Sequence, residues 1–113
     1  MSCDLRYSPA TLEDLDHIWY GVWEASGSFD TADRYLDDLR DKIRKKKKYP
    51  KTGNPLLYMG EFTGIYMVPF KAYIAFYRIR GNVMEVGRVL YSKSDYMKTL
   101  FGRSEYILED DED

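Results

Sequence analysis

The stretch AYIAFYRIRGNVMEVGRVLY, residues 72–91, constrains the fold of this chain more than any other. Two runs rich in β-branched and aromatic residues flank Arg80, Gly81 and Asn82, which favour a tight turn. The pair predicts an antiparallel hairpin over 72–79 and 82–91. GIYMVPF (64–70) adds a third strand, and Pro69, which has no N–H to donate, belongs at a strand end or at an edge. CDLRYS (3–8) alternates weakly and is predicted as an edge strand.

Two helices are predicted between the first strand and the others. In SPATLEDLDHIWYGVWEAS, Ser8 is a cap and Pro9 suits the first turn, where its missing N–H costs nothing. Leu12, Leu15, Ile18, Trp19, Val22 and Trp23 follow the 3.6-residue period, and Gly27 is a stop. In SFDTADRYLDDLRDKIRKKKK, Asp30 is the expected cap and Asp33 falls at the capping-box position. Ala32, Tyr35, Leu36, Leu39 and Ile43 form its apolar stripe. The short SGSFD connection predicts an antiparallel helix hairpin. YPKTGNP ends the second helix as a loop, and YMKTLFG predicts a short terminal helix. The expected class is α+β, in the order β-α-α-β-β-β, with the helix hairpin packed on a twisted antiparallel sheet.

A chain of 113 residues with 44% hydrophobic and 16% aromatic content suits one domain with a true core. We expect that domain over residues 1–108 and a disordered acidic tail over 109–113. The tail, EDDED, carries five negative charges on a chain of net −2, which leaves +3 on the rest. Such a block either solubilises or screens an anion-binding surface. Cys3 is the sole cysteine, so no intramolecular disulfide forms, as suits a reducing compartment. No stretch has the length and apolarity of a membrane span, and the polar start is unlike a signal peptide. A cytoplasmic location is the expectation.

The hairpin carries Arg78, Arg80 and Arg88. Strict alternation from Arg88 groups it with Met84, Val86 and Leu90 and puts Val83, Glu85, Val89 and Tyr91 on the other face. An arginine on so apolar a face has two explanations. It bridges Glu85, Asp95 or a helix carboxylate, or its guanidinium clamps an external phosphate or carboxylate with two parallel hydrogen bonds. The second basic feature is RKKKKYPK. Arg44, Lys45, Lys46, Lys47, Lys48 and Lys51 gather at a helix end, where the dipole favours cations. The cluster is either solvated or contacts nucleic acid or an acidic protein, with Tyr49 placed to stack on a base. Thiol catalysis lacks a histidine near Cys3, no Cys/His spacing suits zinc, and neither GEFTG nor GNVMEVG is a phosphate loop. No metal and no cofactor are expected. Trp19, Trp23 and Tyr35 are assigned to helix packing and core.

Taken in order, YSPATLEDLDHIW, TADRYLDDLRDKI, YPKTGNP and FKAYIAFYRIRGNVMEVGRVLY resemble the RelE/ParE superfamily of bacterial toxins, over residues 7–95. Phe76, Tyr77 and Arg78, followed after the turn by Arg88, Val89, Leu90 and Tyr91, are similar to the ParE branch. The resemblance implies the toxin half of a type II, plasmid-stabilisation type toxin–antitoxin pair, held inactive by a small antitoxin. In the ParE branch it implies a growth inhibitor that binds DNA gyrase, with Arg78, Arg80, Arg88 and Tyr91 as the contact surface. The alternative is a RelE-type ribosome-dependent mRNA endonuclease, acting on the ribosome and mRNA with Arg78, Arg88, Tyr91 and Lys93 as its catalytic set. That chemistry needs a base, an acid and cations at the phosphorane. Ile74 stands where RelE-branch members commonly carry arginine, and His17, the sole histidine, falls off the apolar stripe of the first helix. A further alternative is an inactive domain that only binds its partner.

Overall fold

Ser8 and Pro9 start the first helix as their chemistry dictates. The Ser8 hydroxyl accepts from the Thr11 backbone N–H, and Gly27 closes the helix in the left-handed region with its N–H on the Trp23 carbonyl. A computed structural model describes residues 3–102. Strand β1 (Asp4–Tyr7) leads into helix α1 (Pro9–Ser26) and helix α2 (Phe29–Arg44). Two 3-10 turns, Lys45–Lys47 and Pro50–Thr52, precede β2 (Asn54–Tyr58), β3 (Glu61–Phe70), β4 (Tyr73–Arg80) and β5 (Val83–Tyr91). A short helix, α3 (Tyr96–Phe101), follows. The α+β class, the helix hairpin and the short last helix are as the sequence predicts.

Three details differ from the expectation. Ser28, not Asp30, caps α2 by accepting from Thr31 N, and Asp33 instead accepts from Trp19 Nε1 at 2.8 Å. The stretch NPLLY, placed in part in a loop, is strand β2 at the sheet edge. Pro55 is tolerated there, beside a register shift between Pro55 and Leu57. The sheet order is β1-β5-β4-β3-β2, and β1 runs parallel to β5, so the expected antiparallel sheet is mixed. A parallel pair is possible because the α1–α2 hairpin and three strands intervene before the chain returns beside β1. Pro69 lies near the end of β3, past Met67, the last residue that β2 pairs.

The helices cover one face of the sheet. Leu15, Ile18, Leu36, Leu39 and Ile43 pack on Val68, Ala75, Tyr77, Met84, Val86 and Val89. Leu39 and Ile43 are fully buried, and each such side chain contributes roughly 2 kcal/mol through burial. Leu12, counted in the apolar stripe, is half exposed, because Thr11 takes the buried position beside β5. The opposite face carries a second core of Leu56, Ile65 and Phe76 under Met97 of α3.

A bulge in β5 decides which residues share these faces. Tyr77 pairs with Val86 and Phe76 with Arg88, leaving Gly87 as the extra residue. Parity therefore changes at Gly87. Arg88 and Leu90 join Val83 and Glu85 on the α3 face, while Val89 joins Met84 and Val86 under the helices. The strict alternation expected across this strand does not hold, and the isolated glycine within the strand is the sequence signal of that break.

Candidate functional site

The change of parity gathers arginines on the α3 face. Arg78 stands opposite Glu85 across the hairpin, and Arg6 stands beside Glu85 on the neighbouring strand. Arg80 Nε lies 3.5 Å and Arg6 Nη1 3.9 Å from the Glu85 carboxylate. Arg6 and Arg80 have side chains about two-thirds exposed, at 65% and 66%. Such pairs contribute little stability, since water screens them. They instead hold a fan of guanidinium groups around one carboxylate. Beside it lies a cleft of about 260 Å³. Ile65 and Phe76 give its apolar lining, Arg78, Glu85 and Arg88 its charge, and Thr99 and Leu100 of α3 its wall.

Arg88 is held differently. Its Nε and Nη2 donate to Asp14 Oδ2 and Oδ1 at 2.8 and 2.9 Å, a bidentate pair across the edge of the sheet. Asp14 Oδ2 also accepts from the Val89 backbone N–H at 2.9 Å. The pair is part of a seal. β1 stops at Tyr7, which leaves the β5 edge beyond Val86 without a strand partner. Side chains at every third position of the entry to α1 satisfy it. Ser8 Oγ donates to the Gly87 carbonyl and Thr11 Oγ1 to the Val86 carbonyl, and Asp14 accepts from Val89 N. The hydrogen bonds to Asp14 raise the Arg88 pKa above its already high ordinary value, against the opposing effect of desolvation. The guanidinium stays charged. Of the two explanations for Arg88, the helix carboxylate is the one observed. Asp95 is occupied elsewhere, capping α3 at Lys98 N.

The structure thus brings together Arg78, Arg80 and Arg88, and adds Arg6. Arg6 was missed because only the β1–β5 pairing, invisible in the sequence, sets it beside Glu85. Tyr91 is not in this group. It pairs with Tyr73, ring to ring at 6.0 Å, on the helix side of the sheet. Lys93 lies in the exposed segment after β5. The catalytic set of Arg78, Arg88, Tyr91 and Lys93 is therefore split between two faces and a loop. His17 is exposed on α1.

The lysine cluster forms a separate basic surface. Arg44 pairs with Asp41, Lys46 Nζ reaches the Thr52 carbonyl at 3.5 Å, and Lys48 Nζ lies 6.0 Å from the Tyr49 ring centroid. Lys45, Lys48 and Lys51 are exposed. The Lys47 carbonyl ties the cluster to the start of β1 by accepting from Cys3 N and Cys3 Sγ.

The helix hairpin carries an aromatic surface. Trp19, Trp23 and Phe29 stack nearly parallel, with centroids 5.8–6.2 Å apart, and Tyr20 meets Trp23 edge-on. Phe29 and Tyr20 remain more than half exposed. Next to them Val22, Ala25, Tyr35, Ala72 and Tyr73 line an open apolar groove. No helix among the described residues is long and apolar enough to cross a membrane. The same residues hold no group of three or more His, Cys, Asp or Glu side chains arranged for a metal ion.

Comparison with known proteins joins these features to a lineage. Residues 5–96 match the family described as the ParE toxin of the type II toxin–antitoxin system parDE. No curated protein sequence matches the chain. Among solved structures, the chromosomal ParDE toxin–antitoxin system from P. aeruginosa superimposes with a TM-score of 0.67 at 16% identity, covering 80% of this chain and 96% of that one. E. coli RelE, as a mutant in the free state, gives 0.62 at 15% identity, covering 88% and 93%. The RelBE2 toxin–antitoxin complex of Mycobacterium tuberculosis gives 0.59 at 17%, covering 80% and 99%. At these identities the likeness is one of fold.

Proposed function

Since this chain belongs to the family of ParE toxins of type II toxin–antitoxin systems, we propose that it arrests growth by binding DNA gyrase in the cytoplasm, and that a small antitoxin neutralises it. Residues 1–108 act as the toxin domain in this reading. The contact surface is the exposed fan of Arg78 and Arg80, with Arg88 behind them. The observation that carries the reading is the composition of the cleft. Its carboxylate, Glu85, is held among arginines, and Asp14, at the edge, is bonded to Arg88. Among the described residues no histidine lines it. A surface of guanidinium groups without a poised acid or base suits binding to an acidic protein patch better than cleavage of RNA.

The antitoxin reading rests on the family and on the helix hairpin. The exposed aromatic stack and the groove of Val22, Ala25, Tyr35, Ala72 and Tyr73 offer apolar anchoring positions to an amphipathic segment. Co-expression with the adjacent small reading frame is expected to restore growth. Unimpaired growth at verified expression without it contradicts the toxin function.

Pulse-labelling of DNA and protein synthesis immediately after induction tests the target. DNA synthesis falling first, with protein synthesis continuing, supports gyrase. Protein synthesis collapsing first overturns that reading in favour of a ribosome-dependent endonuclease.

A further inference from the structure

The arginine cleft and the chain that leaves α3 meet at one place. Thr99 and Leu100, in the last turn of α3, form a wall of the cleft, and Phe101 rests its ring 5.9 Å from that of Tyr58. The helix stops at Gly102, in the left-handed region, with its N–H on the Lys98 carbonyl. The chain therefore leaves the helix at the rim of a surface on which Arg6, Arg78, Arg80 and Arg88 face two carboxylates, Glu85 and Asp14. Among the described residues Arg78 makes no ion pair, and the contacts of Arg6 and Arg80 with Glu85 are long and exposed. The sequence continues with Glu105 and then Glu109, Asp110, Asp111, Glu112 and Asp113. Six residues lie between Gly102 and Glu109, and the seven Cα–Cα steps give a reach of at most about 25 Å.

We propose that the acidic segment 109–113 of this chain docks on the arginine fan of Arg6, Arg78 and Arg80 and acts as a tethered occupant that an external partner has to displace. Guanidinium groups recognise carboxylates through two parallel hydrogen bonds, and tethering raises the effective concentration of the segment. The other basic surface is a poorer host. The lysine cluster follows α2, on the helix side of the sheet, whereas α3 ends on the opposite face. Arg44 there already has Asp41, and ammonium groups offer no planar fork. The effect on target binding rests on the reading above, whereas the contact is a property of the isolated chain.

Paramagnetic relaxation measured on the full chain tests the contact. A nitroxide is attached through Asp111→Cys. Cys3 is buried, and mock-labelled native protein controls for its reaction. At low salt the backbone amide signals of Arg78, Glu85 and Arg88 are expected to lose most of their intensity while those of Lys45–Lys48 keep theirs. The loss reverses with inorganic tripolyphosphate or with added salt, as the Debye length falls from about 10 Å at 0.1 M to about 3 Å at 1 M. Arg78→Glu with Arg80→Glu, both exposed positions, is expected to abolish it. Bleaching concentrated on Lys45–Lys48, bleaching confined to Thr99–Gly102, or bleaching that survives the double charge reversal overturns the proposal. Because nothing here depends on gyrase, a failed contact and a failed target assignment are separate results.

Discussion

Removing the Asp14 carboxylate removes more than an ion pair. In Asp14→Ala the Arg88 guanidinium loses both of its hydrogen bonds to the carboxylate, and the buried Val89 N–H loses its acceptor at the sheet edge. An unsatisfied buried donor costs about 1–3 kcal/mol, and breaking a fully buried pair costs about 3–5 kcal/mol. The Arg88 side chain is 33% exposed and can turn partly to water, so its share falls toward the lower end. The expected total is about 3 kcal/mol. With an unfolding entropy of about 2.1 cal/mol/K per residue over this length, that shifts Tm by roughly 12 °C. Urea unfolding of Asp14→Ala, Arg88→Ala and the double variant checks the argument. The double variant should be more stable than the sum of the singles implies, by 1 kcal/mol or more on the order of magnitude usual for contacting charges. A loss below about 1 kcal/mol with additive singles, as for an exposed pair, would refute the claim that Asp14 and Arg88 form part of the edge seal.

Other consequences follow from single contacts. Burial pushes the Tyr77 hydroxyl up to about 12, despite the opposing hydrogen bond with the Gly53 backbone. The neutral hydroxyl donates to the Pro50 carbonyl. Its stabilising effect is complete below the ordinary tyrosine value near 10 and is lost as pH rises through about 12, a change on the order of 2 kcal/mol. Urea midpoints between pH 9 and pH 12 should fall more steeply in the native chain than in Tyr77→Phe, and equal slopes would exclude this cause. Gly53→Ala drives a methyl group into the Tyr77 hydroxyl and against Tyr66. A loss of about 1–3 kcal/mol is expected in thermal unfolding, as for other overpacked sites. Arg78→Glu with Arg80→Glu should abolish growth arrest while leaving Tm nearly unchanged, and retained toxicity would move the contact surface away from the fan. Tyr20→Asp with Phe29→Asp should weaken antitoxin capture in a pull-down without loss of solubility, and unchanged capture would remove the aromatic stack from that interface.

Local chemistry made much of the fold legible. Ser8, Pro9 and Gly27 bound α1 because their effects are contained within one turn of chain, and the stripe of Ala32, Leu36, Leu39 and Ile43 marks α2 because burial follows the helical period. The candidate site was legible in its residue types but not in its arrangement. Arg78 and Arg88 fall in one cleft through the bulge at Gly87, a two-for-one pairing that alternation alone cannot express. Arg6 joins them through a parallel pairing with a strand far along the chain, where no local signal operates. Nothing in the apolar period of α1 singles out the Asp14 carboxylate, yet its position three residues after Thr11 and six after Ser8 is what the open edge of β5 requires. The same carboxylate then fixes Arg88, so a demand of backbone hydrogen bonding at a strand edge sets the back wall of the arginine surface. A substitution at Asp14 should accordingly alter how Arg88 is presented, even though Asp14 itself is nearly buried.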